Sequence, residues 1–92
     1  MKFLSVYKFK SGAVGDAARK FLESGAPAPE GATLLGRWHN ADLSGGVSLV
    51  ETDDPKTTYD LAAQWADILE IESHAVLEDA DIGPILAKHY GS

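Results

Sequence analysis

The sequence contains no cysteine, a single methionine among its 92 residues, and no apolar run long enough to cross a membrane. Without cysteine, neither a disulfide nor a thiolate zinc site can stabilise the chain. A domain of this length buries only about two thirds of its unfolded surface. Because the three histidines are well separated, a structural metal is not expected. Self-association is the remaining way to bury more surface.

Basic residues are also few. Eight Lys and Arg stand against fourteen Asp and Glu, which gives a net charge of −6, and the basic residues form no cluster. This balance disfavours binding to nucleic acid or to anionic membrane surfaces. The opening segment MKFLSVYKFKSG lacks the apolar core and cleavage site of a secretory leader. We therefore expect one cytoplasmic domain over residues 1–92, with neither a nucleic acid nor a membrane as partner.

The spacing of apolar residues predicts four strands and three helices. Strands are predicted at residues 2–9, 33–40, 46–51 and 69–76, where apolar residues alternate with others. The first helix is predicted to begin at Ala13 and to stop at Gly25. The second is predicted to follow the capping sequence TDDP, with Pro55 in its first turn. The third is predicted over residues 81–89, with Pro84 in its first turn.

The order β-α-β-β-α-β followed by a helix is the split βαβ, or ferredoxin-like, arrangement, an α+β fold. Right-handed crossovers place both main helices on one face of a four-stranded antiparallel sheet with strand order 4-1-3-2. The chain has only one short helix left to cover the other face. A second copy of the sheet would cover it, which predicts a homodimer: a dimeric α/β barrel with a cavity between the two sheets.

The segment LLGRWHN, residues 34–40, places Arg37, Trp38 and His39 side by side on the second strand. Because side chains alternate across a strand, Trp38 lies opposite Arg37 and His39. Burying a large aromatic ring is favourable, whereas burying an unpaired Arg is costly. We therefore expect Trp38 in the core, beneath the helices. Arg37 and His39 are expected to face the space between the sheets, on the same side as Glu51.

Five side chains are candidates for binding a ligand in that space. They are Tyr7, Arg37, His39, Glu51 and His74, expected around Phe3 and Leu35. A mostly apolar cleft with a few convergent polar groups is typical of small-molecule sites. Arg37 can bind an anion through its planar guanidinium, or it can form a salt bridge within the protein or across the dimer interface. His39 is the candidate catalytic residue, or else a packing residue with a hydrogen bond.

A metal centre is disfavoured. His39 and His74 with Glu70 or Glu72 would supply suitable ligands, but a closely spaced pair such as His-x-x-x-His is missing. We expect neither a metal nor a cofactor.

Trp65 lies on the apolar stripe of the second helix and is expected in the core.

Four separated segments carry a resemblance to a known family: MKFL, FLESGAPAPEGATLLGRWH, GVSLVETDDP and QWADILEIE. They resemble a bacterial domain-of-unknown-function family of about 90 residues, with GRWH and ETDDP as its motifs. The resemblance implies membership of the dimeric α/β-barrel superfamily and dimerisation, but no activity. That superfamily includes cofactor-independent monooxygenases, haem-handling enzymes and plain ligand binders, which share architecture rather than chemistry.

Three functions fit these observations. The leading hypothesis is a homodimeric domain that binds a small organic molecule, partly apolar and able to carry an anionic group, in the inter-sheet cavity. The first alternative is a cofactor-independent enzyme of monooxygenase or isomerase type, in which His39 is the base while Arg37 and Tyr7 stabilise negative charge. The second alternative is a structural or regulatory subunit whose sheet face binds another protein.

Overall fold

The computed structural model describes residues 1–91 and shows an α+β domain. Its elements are β1 (Lys2–Phe9), α1 (Val14–Ser24), β2 (Ala32–His39), β3 (Gly45–Thr52), α2 (Pro55–Trp65), β4 (Leu69–Val76) and α3 (Asp79–Tyr90). The predicted element order is confirmed, and with it the ferredoxin-like fold with a C-terminal helix. No helix within these residues has the length and apolar character needed to cross a membrane.

The sheet has the strand order β2-β3-β1-β4, and all neighbouring strands are antiparallel. We call the side covered by α1 and α2 the helix face; it carries the paired residues Phe3 and Val50, both buried. The opposite side, the open face, carries the pair Val6 and Val47. Because side chains alternate, each strand contributes every second residue to each face.

The sequence signals for helix ends are observed. α1 stops at Gly25, which adopts φ 71° and donates its N–H to the carbonyl of Phe21, the usual C-terminal role of glycine. α2 begins at Pro55, and the carboxylate of Asp54 accepts a hydrogen bond of 3.0 Å from the N–H of Lys56, as an N-cap does. α3 begins two residues earlier than predicted, at Asp79, so Pro84 lies inside the helix instead of in its first turn.

The core is small and lies between the helix face and the two covering helices. Its buried members are Ala17, Ala26, Trp65 and Leu69. The ammonium of Lys20 on α1 lies 4.5 Å from the centre of the Trp65 ring on α2, so a cation–π contact joins the two helices. The prediction that Trp65 belongs to the core is confirmed.

Trp38 is not in the core. It is 58% exposed on the open face, and its ring covers Gly36, where a Cβ would come within 2.4 Å of the indole. The predicted burial of Trp38 is therefore wrong. Arg37 pairs with Ser48 and His39 with Gly46, which is one residue away from the register that would place Arg37 and His39 on the same face as Glu51. A shift of one residue moves every side chain of a strand to the other face.

The loop between β2 and β3 sets this register. The N–H of Asn40 donates to the carbonyl of Gly45 at 2.8 Å, and Leu43 adopts φ 66° within the loop. The carboxylate of Asp42 accepts hydrogen bonds from the hydroxyl and the N–H of Ser44, which hold the pKa of Asp42 below its usual value. Further along β2, a β-bulge between Leu34 and Gly36 shifts the pairing once more.

The contrast between buried and exposed aromatics on α2 gives a stability prediction. Replacing Trp65 with Ala is expected to lower the free energy of unfolding by about 3–5 kcal/mol, because it leaves a cavity in the core. Tyr59→Ala on the same helix removes a ring that is 80% exposed, and it should change stability by less than about 0.5 kcal/mol. Urea denaturation followed by circular dichroism measures both. Equal losses in the two variants would contradict the assigned core.

Candidate functional site

A cavity of about 370 Å³ lies inside the single chain, between the helix face of the sheet and helices α1 and α2. The helices present short side chains to it, namely Ala17, Ala18 and Ala62, beside the larger Phe21 and Leu61. Because these alanines do not reach the sheet, a space remains where interiors are normally close-packed. The volume falls within the range of roughly 300–1,000 Å³ that is typical of small-molecule sites.

The charge of the cavity wall differs from that of the protein. The chain carries a net charge of −6, yet no Asp, Glu or Lys lies among the described residues that line the cavity. Its titratable side chains are Tyr7, Arg37 and His39. The lining therefore holds one fixed positive charge and no negative charge. Coulombic attraction in this partly enclosed site favours an anionic group.

Tyr7 and His39 form a hydrogen bond across the sheet. The phenol oxygen of Tyr7 on β1 lies 2.8 Å from Nδ1 of His39 on β2, although β3 runs between these strands. Gly46 pairs with Tyr7 on one side and with His39 on the other. A Cβ at Gly46 would lie only 2.4 Å from the Tyr7 hydroxyl. The glycine therefore lets the phenol ring cross β3 and reach the imidazole.

The direction of this hydrogen bond depends on the tautomer of His39, because a neutral phenol can either donate or accept. Burial raises the pKa of Tyr7 above its usual value of 10.0, and the positive charge of Arg37 offsets part of that effect. The phenol is therefore neutral at physiological pH and can donate its proton to Nδ1 of His39. A neutral imidazole that accepts at Nδ1 carries its own proton on Nε2. In that tautomer, Nε2–H of His39 is free to donate a hydrogen bond.

Arg37 holds the loop that follows α1. Its guanidinium donates to the carbonyl of Ala26 and, at 3.5 Å, to the carbonyl of Gly25. It also lies 5.5 Å from the centre of the Phe21 ring. Ala26 is buried and adopts φ 44°, a backbone conformation that L residues rarely adopt. Within residues 1–91 no carboxylate lies at salt-bridge distance from Arg37.

Three of the five predicted site residues come together: Tyr7, Arg37 and His39 lie on the helix face. Glu51 and His74 lie on the open face. The N-terminal amine donates to Glu51 at 3.1 Å, and His74 Nε2 is 3.6 Å from Glu72. The expectation that Arg37 and His39 share a face with Glu51, in the space between two sheets, is wrong because of the shifted hairpin register. A ligand-binding role for these residues stays a prediction.

Several features of the site were not predicted from the sequence. Gly46 was assigned to a turn and strand start, although paired glycines at the beginning of a strand can also signal close approach by a neighbour. The space beneath the alanines on the inner faces of both helices was likewise not predicted. Thr58 on α2 also lines the cavity. Among the described residues, its buried Oγ1 finds no hydrogen-bond partner.

The fold and this site together define a class of protein: a ferredoxin-like α+β domain with a mostly apolar cavity between its sheet and two of its helices. The chain belongs to the domain of unknown function family DUF3303, whose family model matches residues 1–90. The predicted domain-of-unknown-function family is confirmed at this level. No curated protein and no solved structure matches the chain significantly. Within residues 1–91, no group of three or more His, Asp or Glu side chains is placed to hold a metal ion.

The raised pKa of Tyr7 gives a prediction for alkaline pH. Because the phenol ionises at higher pH in the folded chain than in the unfolded chain, the stability that the wild type has below about pH 10 should decrease as pH rises above that value. Tyr7→Phe should lose less stability over the same range, and Tyr59→Phe, outside the cavity, serves as the control. Urea denaturation from about pH 8 to 11 measures this. Identical pH dependence in all three proteins would contradict the burial of the Tyr7 hydroxyl.

Proposed function

We propose that this protein is a homodimeric small-molecule-binding domain and that its ligand occupies the cavity between the sheet and helices of each subunit. The observation that supports this most strongly is the half-buried Arg37 in an apolar wall without any lining carboxylate. Removing a charge from water is costly unless the charge is paired. The carbonyls of Gly25 and Ala26 accept hydrogen bonds from Arg37 but carry no net charge, and an anionic group of a bound ligand would supply the opposite charge.

The chemistry of the wall narrows the ligand class to an apolar body with a single anionic group, such as an aromatic or aliphatic monocarboxylate. One carboxylate can accept two parallel hydrogen bonds from a guanidinium. A second anionic group would meet only apolar side chains and neutral polar groups. Arg37 would therefore orient the ligand, while His39 and Tyr7 contribute hydrogen bonding at the same end.

The homodimer is the second part of the proposal. Apolar side chains occupy the middle of the open face, namely Leu4, Val6, Trp38, Val47 and Leu49. Trp38 and Val6 are 58% and 42% exposed, and contiguous exposed apolar patches mark interaction surfaces. A second copy of the same sheet is apolar at the corresponding positions. Glu51 and His74 would then lie in the space between the facing sheets.

A second candidate is an enzyme without a cofactor, of monooxygenase or isomerase type. The hydrogen bond of 2.8 Å between Tyr7 and Nδ1 of His39 favours it, because a donor to one imidazole nitrogen holds the ring in place for acid–base chemistry at the other. Arg37 would stabilise negative charge that develops on the substrate. Binding of the ligand is a step common to both candidates, so the first experiment addresses binding.

The ligand class can be tested with naphthoate and its neutral analogue naphthylmethanol, by calorimetry or thermal shift. The wild type should bind naphthoate more tightly than the alcohol. Arg37→Gln should weaken naphthoate binding by roughly tenfold or more, because a charge-assisted hydrogen bond contributes about 1.5–3 kcal/mol, and it should leave the alcohol unaffected. Product formed from the bound carboxylate would favour the enzyme candidate.

A cavity-filling variant tests the location of the site without changing Arg37. Ala62→Leu should abolish binding of both probes, because the added side chain would occupy part of the cavity, while the chain stays folded. Ala63→Leu adds the same atoms at an exposed position of the same helix and should bind as the wild type does. Undiminished binding in Ala62→Leu would contradict this location of the site.

The dimer can be tested on the open face. Val6→Glu places a charge in the centre of the apolar patch and should convert the protein to a monomer, because association would bury this charge without a partner of opposite sign. Leu22→Glu changes an apolar residue of α1 that is 80% exposed and should leave the dimer intact. Light scattering with sedimentation measures both. A monomeric wild type at about 100 μM, or a dimeric Val6→Glu variant, would reject this interface.

A further inference from the structure

Helix α3 stands apart from the rest of the domain. None of its twelve residues is buried, and only Ile82 is even partly covered. Its start is held by an ion pair between Lys2 and Glu78. The radius of gyration is 15.8 Å, whereas a compact domain of this length would have about 12 Å. The molecule extends over 54 Å in its longest dimension.

This helix lacks the intrinsic propensity to stand alone. Isolated helices of about twelve residues are marginal in water even with favourable sequences. α3 contains Gly83 and Pro84 in its interior, the two residue types that disfavour helices most. A capping box between Glu78 and Asp81 stabilises its first turn only. The helical state of α3 therefore requires packing against another surface.

One side of α3 is suited to such packing. Ile82, Ile85, Leu86 and Tyr90 follow the three-and-four spacing of a single helical stripe. Ile85 and Leu86 are about half exposed, and Tyr90 is 85% exposed. Beside this stripe, Asp81 and Lys88 lie seven residues apart and therefore on the same flank of the helix. The first turn of α3 is acidic, while its last turn carries Lys88 and His89.

The charges on this flank of α3 are complementary to those of a second copy when the two helices run antiparallel. When two copies of such a helix lie antiparallel, flank positions of one meet the same flank of the other, so Asp81 of each copy approaches Lys88 of its partner. In a parallel pair this flank would meet the opposite flank of the partner helix, where Gly83 and Ala87 carry no charge, so Asp81 and Lys88 would form no ion pairs across the contact. A two-fold axis near Pro84 and Ile85 brings the two apolar stripes together.

We propose that α3 is a dimerisation arm that pairs antiparallel with α3 of a second copy of this chain. This inference rests on the homodimer proposed above and names a contact in addition to its sheet faces. The accessible surface of the chain is 6489 Å², whereas a monomer of its mass would expose about 5,200 Å². The excess of roughly 1,300 Å² exceeds the ~800 Å² that each partner buries in a standard interface.

Charge exchange on the arm tests the proposal. Lys88→Glu should raise the Kd of the homodimer about tenfold, because like charges then face each other in both symmetric pairs. Asp81→Lys reverses the other charge but also removes the carboxylate that completes the capping box with Glu78, so it serves as the complementary chain in the mixture. An equimolar mixture of the two variants should form a heterodimer several-fold tighter than either variant homodimer. Sedimentation of labelled chains measures all four species, and circular dichroism checks that each variant keeps its helix.

The outcomes separate this inference from the proposed dimer. If both variants dimerise as tightly as the wild type and do not prefer each other in the mixture, the arm is rejected while the sheet interface remains. If the variants are weak and the mixture stays weak as well, the antiparallel pairing is rejected. A wild-type chain that remains monomeric rejects the homodimer and the arm together.

Discussion

The pairing of β2 with β3 is the constraint on which the candidate site depends. Arg37 lies opposite Ser48 and His39 lies opposite Gly46, so both side chains point beneath the helices. One residue of slippage would place Trp38 there instead, and the cavity would lose its cation and its imidazole. The short loop over residues 40–44 holds this register through its own hydrogen bonds. A local turn thus determines the chemistry of a site formed by all four strands and two helices.

The cavity exists because small side chains stand where large ones would fill the space. Alanine has a high helix propensity and a short side chain. On the inner faces of α1 and α2 it therefore favours the helices but leaves volume beneath them. Gly46 has the corresponding role in the sheet, since it leaves room for Tyr7 to reach His39. Buried apolar side chains then lie at both ends of the sheet, with Leu69 and Trp65 near one end and Phe3 and Val50 near the other. Binding capacity and a modest core follow from the same choice of residues.

Within residues 1–91, two apolar surfaces are exposed to solvent. They are the centre of the open face and the stripe of α3. A short chain without cysteine has few other means of burying enough apolar surface. Association of two copies would cover both surfaces at once and would keep the cavity of each subunit accessible from the helix side. In that proposed arrangement the dimer interface would support the fold, while each subunit would retain its own cavity.

The sequence by itself determined the order of elements, the helix caps at Asp54 and Gly25, the fold class and the burial of Trp65, because these depend on local periodicity and on nearest-neighbour backbone chemistry. It also indicated that Tyr7, Arg37 and His39 belong together. Only the tertiary structure decided which face they occupy, since a strand with apolar residues on both sides fits either orientation equally well. The cavity was likewise not predictable from the sequence. Its unfilled volume arises only when the sheet and helices α1 and α2 pack together.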